Sequence, residues 1–213
     1  MPLAIFDLDG TLVDQAAAAR DWARGFAQAW SLDERDAGVI AAALTERRPK
    51  GEIFSMIVQR FSLPMTPEAA WSDYRAHMPD LVRCSDTDRS ALRALRNAGW
   101  RLGIVTNGMV DNQEGKIRST GLADLVDGWV ISSEFGERKP EPSIFHELAR
   151  RLECPLDGWM VGDSLETDVA GGLAVGLETA WITSAPATDP RPAPTVSAPT
   201  VKDAVDKILT GQR

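Results

Sequence analysis

Short apolar runs recur along the chain, and each stops at polar residues. Leu3-Ala4-Ile5-Phe6 ends at Asp7-Leu8-Asp9-Gly10-Thr11, and Leu102-Gly103-Ile104-Val105 ends at Thr106-Asn107-Gly108. Trp129-Val130-Ile131 runs into Ser132-Ser133, Trp159-Met160-Val161 into Gly162-Asp163-Ser164, and Thr179-Ala180-Trp181-Ile182 into a further turn. A continuous apolar run bounded by turn formers reads as a strand buried on both faces. Between the runs the period becomes helical. Leu92 and Leu95 lead to a helix stop at Asn97-Ala98-Gly99, and Ile144, Leu148 and Leu152 share the face of a helix opened near Glu141-Pro142. Strands alternating with helices predict an α/β fold, a Rossmann-like parallel sheet with helices on both faces.

One stretch departs from this rhythm. From Gln15 to His77 the pattern is helical, with Trp22, Phe26 and Ala29 on one face and Ile53, Ile57 and Phe61 on another. Gly51 and the Leu63-Pro64-Met65-Thr66-Pro67 segment punctuate these helices. The reading is a small helical bundle over residues 15–80, inserted after the first strand of an α/β body made of residues 1–14 and 81–213. Ser184 to Pro199, rich in Pro, Ala and Thr, is expected to be a loose connection before a last helix carrying Val201, Val205 and Ile208.

Composition narrows the class. The 213 residues are 44% hydrophobic and 25% charged, ordinary globular values. A chain of this size buries roughly 70% of its unfolded surface, so its core needs no disulfide staples. Disorder throughout, a collagen-like rod and a disulfide-rich mini-protein are excluded. Twenty-three Lys and Arg against 31 Asp and Glu leave a net charge of −8, unsuited to a nucleic-acid polymer as partner. A small phosphorylated ligand remains compatible, since a local site can oppose the global sign. Cys84 and Cys154 read as reduced thiols of a cytoplasmic protein. The first apolar stretch is broken by Asp7 and Asp9, unlike a signal peptide, and no apolar run approaches the ~18 residues of a membrane span. The expectation is a soluble protein without a membrane partner.

In open parallel sheets, ligands bind at the carboxyl ends of the strands. Those ends collect Asp7, Asp9, Thr106, Asn107, Asp163 and Asp168, with Lys139 just ahead of a helix. Two carboxylates ~4 Å apart repel by about 4 kcal/mol at an effective dielectric near 20, so such a cluster needs a compensating positive charge or the protonation of some members, and a hard divalent cation answers the first need. Oxygen donors suit Mg²⁺, whereas no His or Cys in these segments favours zinc.

The segments FDLDGTLVD, VTNG, ERKPEPSIF and VGDSLETDV resemble, in order, the four motifs of the haloacid dehalogenase-like hydrolase superfamily. The resemblance covers residue 3 to about residue 182, places the helical insert where that family carries its cap, and is nearest the phosphatase branch. It implies that Asp7 is the nucleophile, forming an aspartyl-phosphate, and that Asp9 is the general acid and base. It further implies that Thr106 and the Asn107 amide bind phosphoryl oxygens and that Lys139 balances charge. For Mg²⁺ it implies Asp163, the Asp7 carboxylate, the Asp9 carbonyl and, less directly, Asp168. The expected activity is Mg²⁺-dependent hydrolysis of a small phosphorylated metabolite, a sugar phosphate or nucleotide, with the cap and nearby loops choosing the substrate. The dehalogenases of the superfamily carry another residue where Asp9 stands. A phosphomutase is the rival within the family, and a phospho-accepting receiver module the rival outside it; either a monomer or a dimer is compatible. The Arg47-Arg48-Lys50 group reads as a solvated helix end, and Trp22 and Trp30 as core packing rather than substrate stacking.

Overall fold

The computed structural model describes residues 1–46, 48–185 and 188–211. Arg47 of the basic group named above therefore lies outside the described residues. The chain runs β1 (Leu3–Phe6), α1 (Gln15–Ala29), α2 (Glu34–Leu44), α3 (Lys50–Arg60), α4 (Pro67–Leu81) and α5 (Asp86–Asn97). It continues through β2 (Arg101–Thr106), α6 (Val110–Ser119), β3 (Gly128–Ile131), α7 (Ser132–Phe135), α8 (Pro142–Arg151) and β4 (Gly158–Gly162). It closes with α9 (Ala170–Ala174), β5 (Glu178–Ile182), β6 (Val196–Ala198) and α10 (Val201–Thr210).

The strands form one six-stranded sheet in the order β3-β2-β1-β4-β5-β6. Every neighbouring pair is parallel, so all carboxyl ends lie along one edge. The chain fills one side of β1 with β2 and β3, then crosses to place β4 on the other side. That reversal is the switch point at which open α/β sheets build their sites. All four β1 residues are fully buried, as strands covered on both faces should be.

The structure is the expected parallel α/β fold, with one correction. The 184–199 segment is not simply a loose connection, because its end forms β6 beside β5. Three residues are too few for a visible apolar run. What pins them is a pair of bonds between threonines: Thr179 N donates to Thr195 Oγ1 at 3.0 Å, and Thr195 N to Thr179 Oγ1 at 3.1 Å. A very short edge strand also offers little template for unwanted pairing.

The chain divides into two compact units, Met1–Val13 with Cys84–Arg213, and Asp14–Arg83. In the second, α1 is capped by Asp14, α2 by a capping box of Asp33 with Asp36, and α4 by Thr66 with Pro67 in its first turn. Trp22 stacks on Phe26 at 4.5 Å and meets Tyr74 edge-on at 5.2 Å, while its indole N–H donates to Asp73 at 3.0 Å. Trp22 is thus a core residue of the helical unit. Ala29, expected on the same face as Trp22, is exposed at the end of α1. No described helix is long and apolar enough to cross a membrane.

In the first unit, one face of the sheet packs Leu3, Ile5, Val105, Val130 and Met160 against Ile144, Phe145 and Leu148 of α8. That helix begins at Pro142, a residue whose fixed φ suits a first helical position. Leu148→Ala should cost about 2–5 kcal/mol through lost burial and a residual cavity. Urea unfolding should show a lower midpoint at unchanged slope; an unshifted midpoint would contradict this packing.

Candidate active site

The strand ends converge as their order requires. Asp7 follows β1 directly, and its N–H donates to Val161 O of β4 at 2.9 Å, so the pairing that builds the sheet also places the carboxylate. Lys139 arrives on the loop before α8. Its ammonium lies 2.6 Å from Asp7 Oδ1 and 2.7 Å from Asp168 Oδ1. All three side chains are buried.

Asp168 stands in a π turn, Leu165–Val169, capped by the Ser164 side chain. Single π turns of this kind often occur at functional sites, where the wider coil redirects a side chain. The Ser164 N–H donates to Asp168 Oδ2 at 3.0 Å, so Lys139 and the backbone between them hold this carboxylate on both oxygens. Gly162 makes the approach possible: a Cβ there would lie 2.2 Å from Asp168 Oδ2. Asp163 is half-buried on the loop after β4, and its carbonyl accepts the Trp181 indole N–H at 2.9 Å.

After Asp7 the chain closes a tight loop. The N–H groups of Leu12 and Val13 both reach Leu8 O at 3.0 Å, and Gly10 N donates to Val13 O at 3.0 Å. Gly10 has φ +82°, and a Cβ on it would sit 2.7 Å from Asp163 Oδ2. Only glycine meets both conditions without strain. The loop sends the Asp9 side chain towards α6, where Lys116 Nζ donates to both of its oxygens at 2.8 and 3.1 Å.

Thr106, buried at the end of β2, accepts a 2.6 Å bond from Gln113 Nε2, which also donates to Asp9 Oδ2 at 3.1 Å. Asn107 points elsewhere. Its Oδ1 accepts from the Lys139 main-chain N–H at 2.9 Å, and its Nδ2 donates to the Lys139 carbonyl at 3.1 Å. Of the residues singled out in the sequence, Asp7, Asp163, Asp168 and Lys139 thus form one cluster, Asp9 and Thr106 are joined through Gln113, and the Asn107 side chain fastens the Lys139 loop. Gln113 and Lys116 were not among the candidates. Their signal was the inward face of α6, where Asn112, Gln113 and Lys116 are buried beside Ile117. A polar stripe on a buried face, directly after Thr106-Asn107-Gly108, points into a site.

The electrostatics follow from this crowding. Asp7, Asp163 and Asp168 each offer a carboxylate oxygen within 4.8 Å of the others. Burial pushes the Asp7 carboxyl up to about 8; Lys139 opposes that rise, while Asp168 and Asp163 add to it. For Lys139, burial favours the neutral amine, but Asp168 and Asp7 outweigh it and hold the ammonium above the ordinary lysine range. One ammonium, paired with Asp7 and Asp168 while Asp163 stands beside them, leaves a negative excess. The donor set is all oxygen, with no His or Cys in the cluster, and glycine keeps space beside Asp163. These residues fit a hard divalent cation.

Known proteins resemble this chain in sequence and in fold. The haloacid dehalogenase-like hydrolase family matches residues 1–176, and the chain belongs to that family. It is 39% identical to the pyrimidine 5′-nucleotidase of Escherichia coli over 44% of this chain and 42% of that protein. It is 32% identical to the glyceraldehyde 3-phosphate phosphatase of Pyrococcus abyssi over 60% of this chain and 56% of that protein. The chain thus spans about half the length of the curated relatives it matches. A magnesium-bound hydrolase of the same superfamily from Bacillus subtilis shares the fold with a TM-score of 0.83 at 20% identity, covering 97% of this chain and 98% of that one.

The raised Asp7 value predicts a pH effect with a definite sign. Between the ordinary carboxyl value of 3.8 and about 8, the cation-free folded chain binds more protons at Asp7 than the unfolded chain does. Its stability therefore falls as pH climbs through that window. With EDTA present, the wild-type Tm should drop from pH 5.5 to pH 8, and Asp7→Asn should shrink that drop. An undiminished drop in the variant would contradict the assignment to Asp7.

Proposed function

We propose that the protein is a Mg²⁺-dependent phosphatase of small phosphomonoesters, acting through an aspartyl-phosphate on Asp7. The observation that carries this reading is the cluster at the carboxyl edge of the sheet: Asp7, 2.6 Å from Lys139, with Asp163 and Asp168 beside it. Family membership and relatives named as a nucleotidase and a phosphatase support the same chemistry.

Asp7 attacks phosphorus with a carboxylate oxygen while the bond to the ester oxygen breaks. Asp9 gives its proton to that departing oxygen, so an alcohol leaves rather than an alkoxide. The Asp9 carboxylate then takes a proton from water as the water oxygen attacks phosphorus. Inorganic phosphate leaves, and the Asp7 carboxylate is restored. The Thr106 hydroxyl and the Asn107 main-chain N–H donate to phosphoryl oxygens. Lys139 stays charged throughout and stabilises negative charge on those oxygens as it spreads during transfer.

The cation would be held by the Asp7 and Asp163 carboxylates and the Asp9 carbonyl, with Asp168 supporting the shell. When bound, it neutralises the carboxylate excess and draws charge from the phosphoryl oxygens. The magnesium described for the Bacillus subtilis relative supports this choice of ion. Sugar phosphates and nucleotides are the substrate class, since the relatives named above act on a pyrimidine nucleotide and a triose phosphate.

The test is phosphate release from p-nitrophenyl phosphate and from a panel of sugar phosphates, nucleotides and phospho-acids. Turnover should require Mg²⁺, vanish with EDTA, and fall at least about a thousandfold in Asp7→Asn and in Asp9→Asn. Folded protein inactive across the whole panel, or Asp7→Asn at wild-type rate, would overturn the proposal. Release of phosphate without an isomerised sugar separates a phosphatase from a mutase.

A further inference from the structure

We infer that Gln113 and Lys116, one turn apart on α6, are positioning residues that aim the Thr106 hydroxyl and the Asp9 carboxylate at the reacting phosphoryl group. The inference rests on the phosphatase reading above and goes beyond it, because neither side chain belongs to the four motifs that carry the family resemblance.

Their burial is the first reason. Gln113 is 1% exposed and Lys116 is not exposed at all. A buried ammonium is costly unless charge and hydrogen bonds compensate it, and an apolar residue would serve packing better. Both face the site from the helix that directly follows the β2 motif, and both end on site residues.

The second reason is the direction of each bond. Against an Asp9 carboxylate that accepts from Lys116 on both oxygens, the Gln113 amide has only one chemically sensible orientation. Its nitrogen faces Asp9 Oδ2 at 3.1 Å, and reversing the amide would set a carbonyl oxygen against a carboxylate. Held that way, the nitrogen must also be the donor to Thr106 Oγ1 at 2.6 Å. Thr106 accepts in that bond, so its own hydroxyl hydrogen is left to serve a phosphoryl oxygen. Gln113 thereby converts a freely rotating hydroxyl into a directed donor.

Lys116 acts on Asp9 in a similar way. Its bonds of 2.8 and 3.1 Å to the two oxygens fix the plane of the carboxylate. Oδ1, with the shorter bond, is the anchor. Oδ2 is held at 3.1 Å by Lys116 and by Gln113, and is the oxygen that gives a proton to the leaving group and recovers one from water. Without the anchor the carboxylate swings about its own bond, and a displacement of ~1 Å costs about a hundredfold in rate.

Leaving-group dependence separates positioning from a purely structural role. The value of kcat/KM is measured with Mg²⁺ on the full chain for two esters. One is 2,4-dinitrophenyl phosphate, whose phenolate departs without a proton; the other is the best alkyl phosphate from the panel above. Lys116→Met should lower kcat/KM on the alkyl ester about a hundredfold and on the aryl ester less than about fivefold. Gln113→Leu should lower both alike, because Thr106 serves the phosphoryl group whatever leaves it. Lys116→Arg, which keeps a charged donor, should recover part of the loss on the alkyl ester. Should Lys116→Met fail to fold, Lys116→Gln takes its place, with Tm confirming a folded chain. Equal losses on both esters for a folded Lys116 variant, or wild-type kinetics in Gln113→Leu, would overturn the inference alone. A wild-type chain inactive on both esters would overturn the phosphatase reading and the inference with it.

Discussion

The Lys139 ammonium, shared by Asp7 and Asp168, is the interaction on which the rest of the site depends. Removing one partner from a buried ion pair costs about 3–5 kcal/mol, so each member fixes the other two. The pair alone does not balance the charge, since Asp163 adds a third carboxylate within reach. The fold accommodates this by mounting the excess at the end of its most buried strand. Leu3–Phe6 is enclosed by β2 and β4, and the α8 face packs beneath it. A stiff apolar frame under a charge-crowded polar edge is how a site keeps geometry that its own charges would disperse.

Much of this was legible in the sequence because the physics is local. A strand buried on both faces must be apolar throughout, so the runs at Leu3, Leu102, Trp129, Trp159 and Thr179 stand out, and the first polar residue after each marks a carboxyl end. Asp7, Thr106 and Asp163 were found by that logic, and Lys139 by its place ahead of Pro140 and a helix. The Pro142 opening of α8 was visible for a similar reason, since proline at a helix start acts through its own backbone.

What escaped depends on contacts between distant residues. β6 is held by paired threonine bonds rather than an apolar run, so its three residues look like linker. The clasp made by the Asn107 side chain also escaped, because it holds the Lys139 backbone, a partner 32 residues away in sequence. Gln113 and Lys116 escaped because nothing local marks a polar residue of a short helix as buried. Burial, which only the tertiary structure supplies, turns the same two letters into neighbours of Asp9 and Thr106.

The Asn107 clasp has a mechanical meaning. By gripping both the amide and the carbonyl of Lys139, it welds the end of one strand to the approach of another helix. The hydroxyl that would cradle the phosphate and the ammonium that would neutralise it are therefore mounted on a single rigid jig. A shift of the strand end that carries Thr106 is passed directly to the Lys139 backbone through these two bonds.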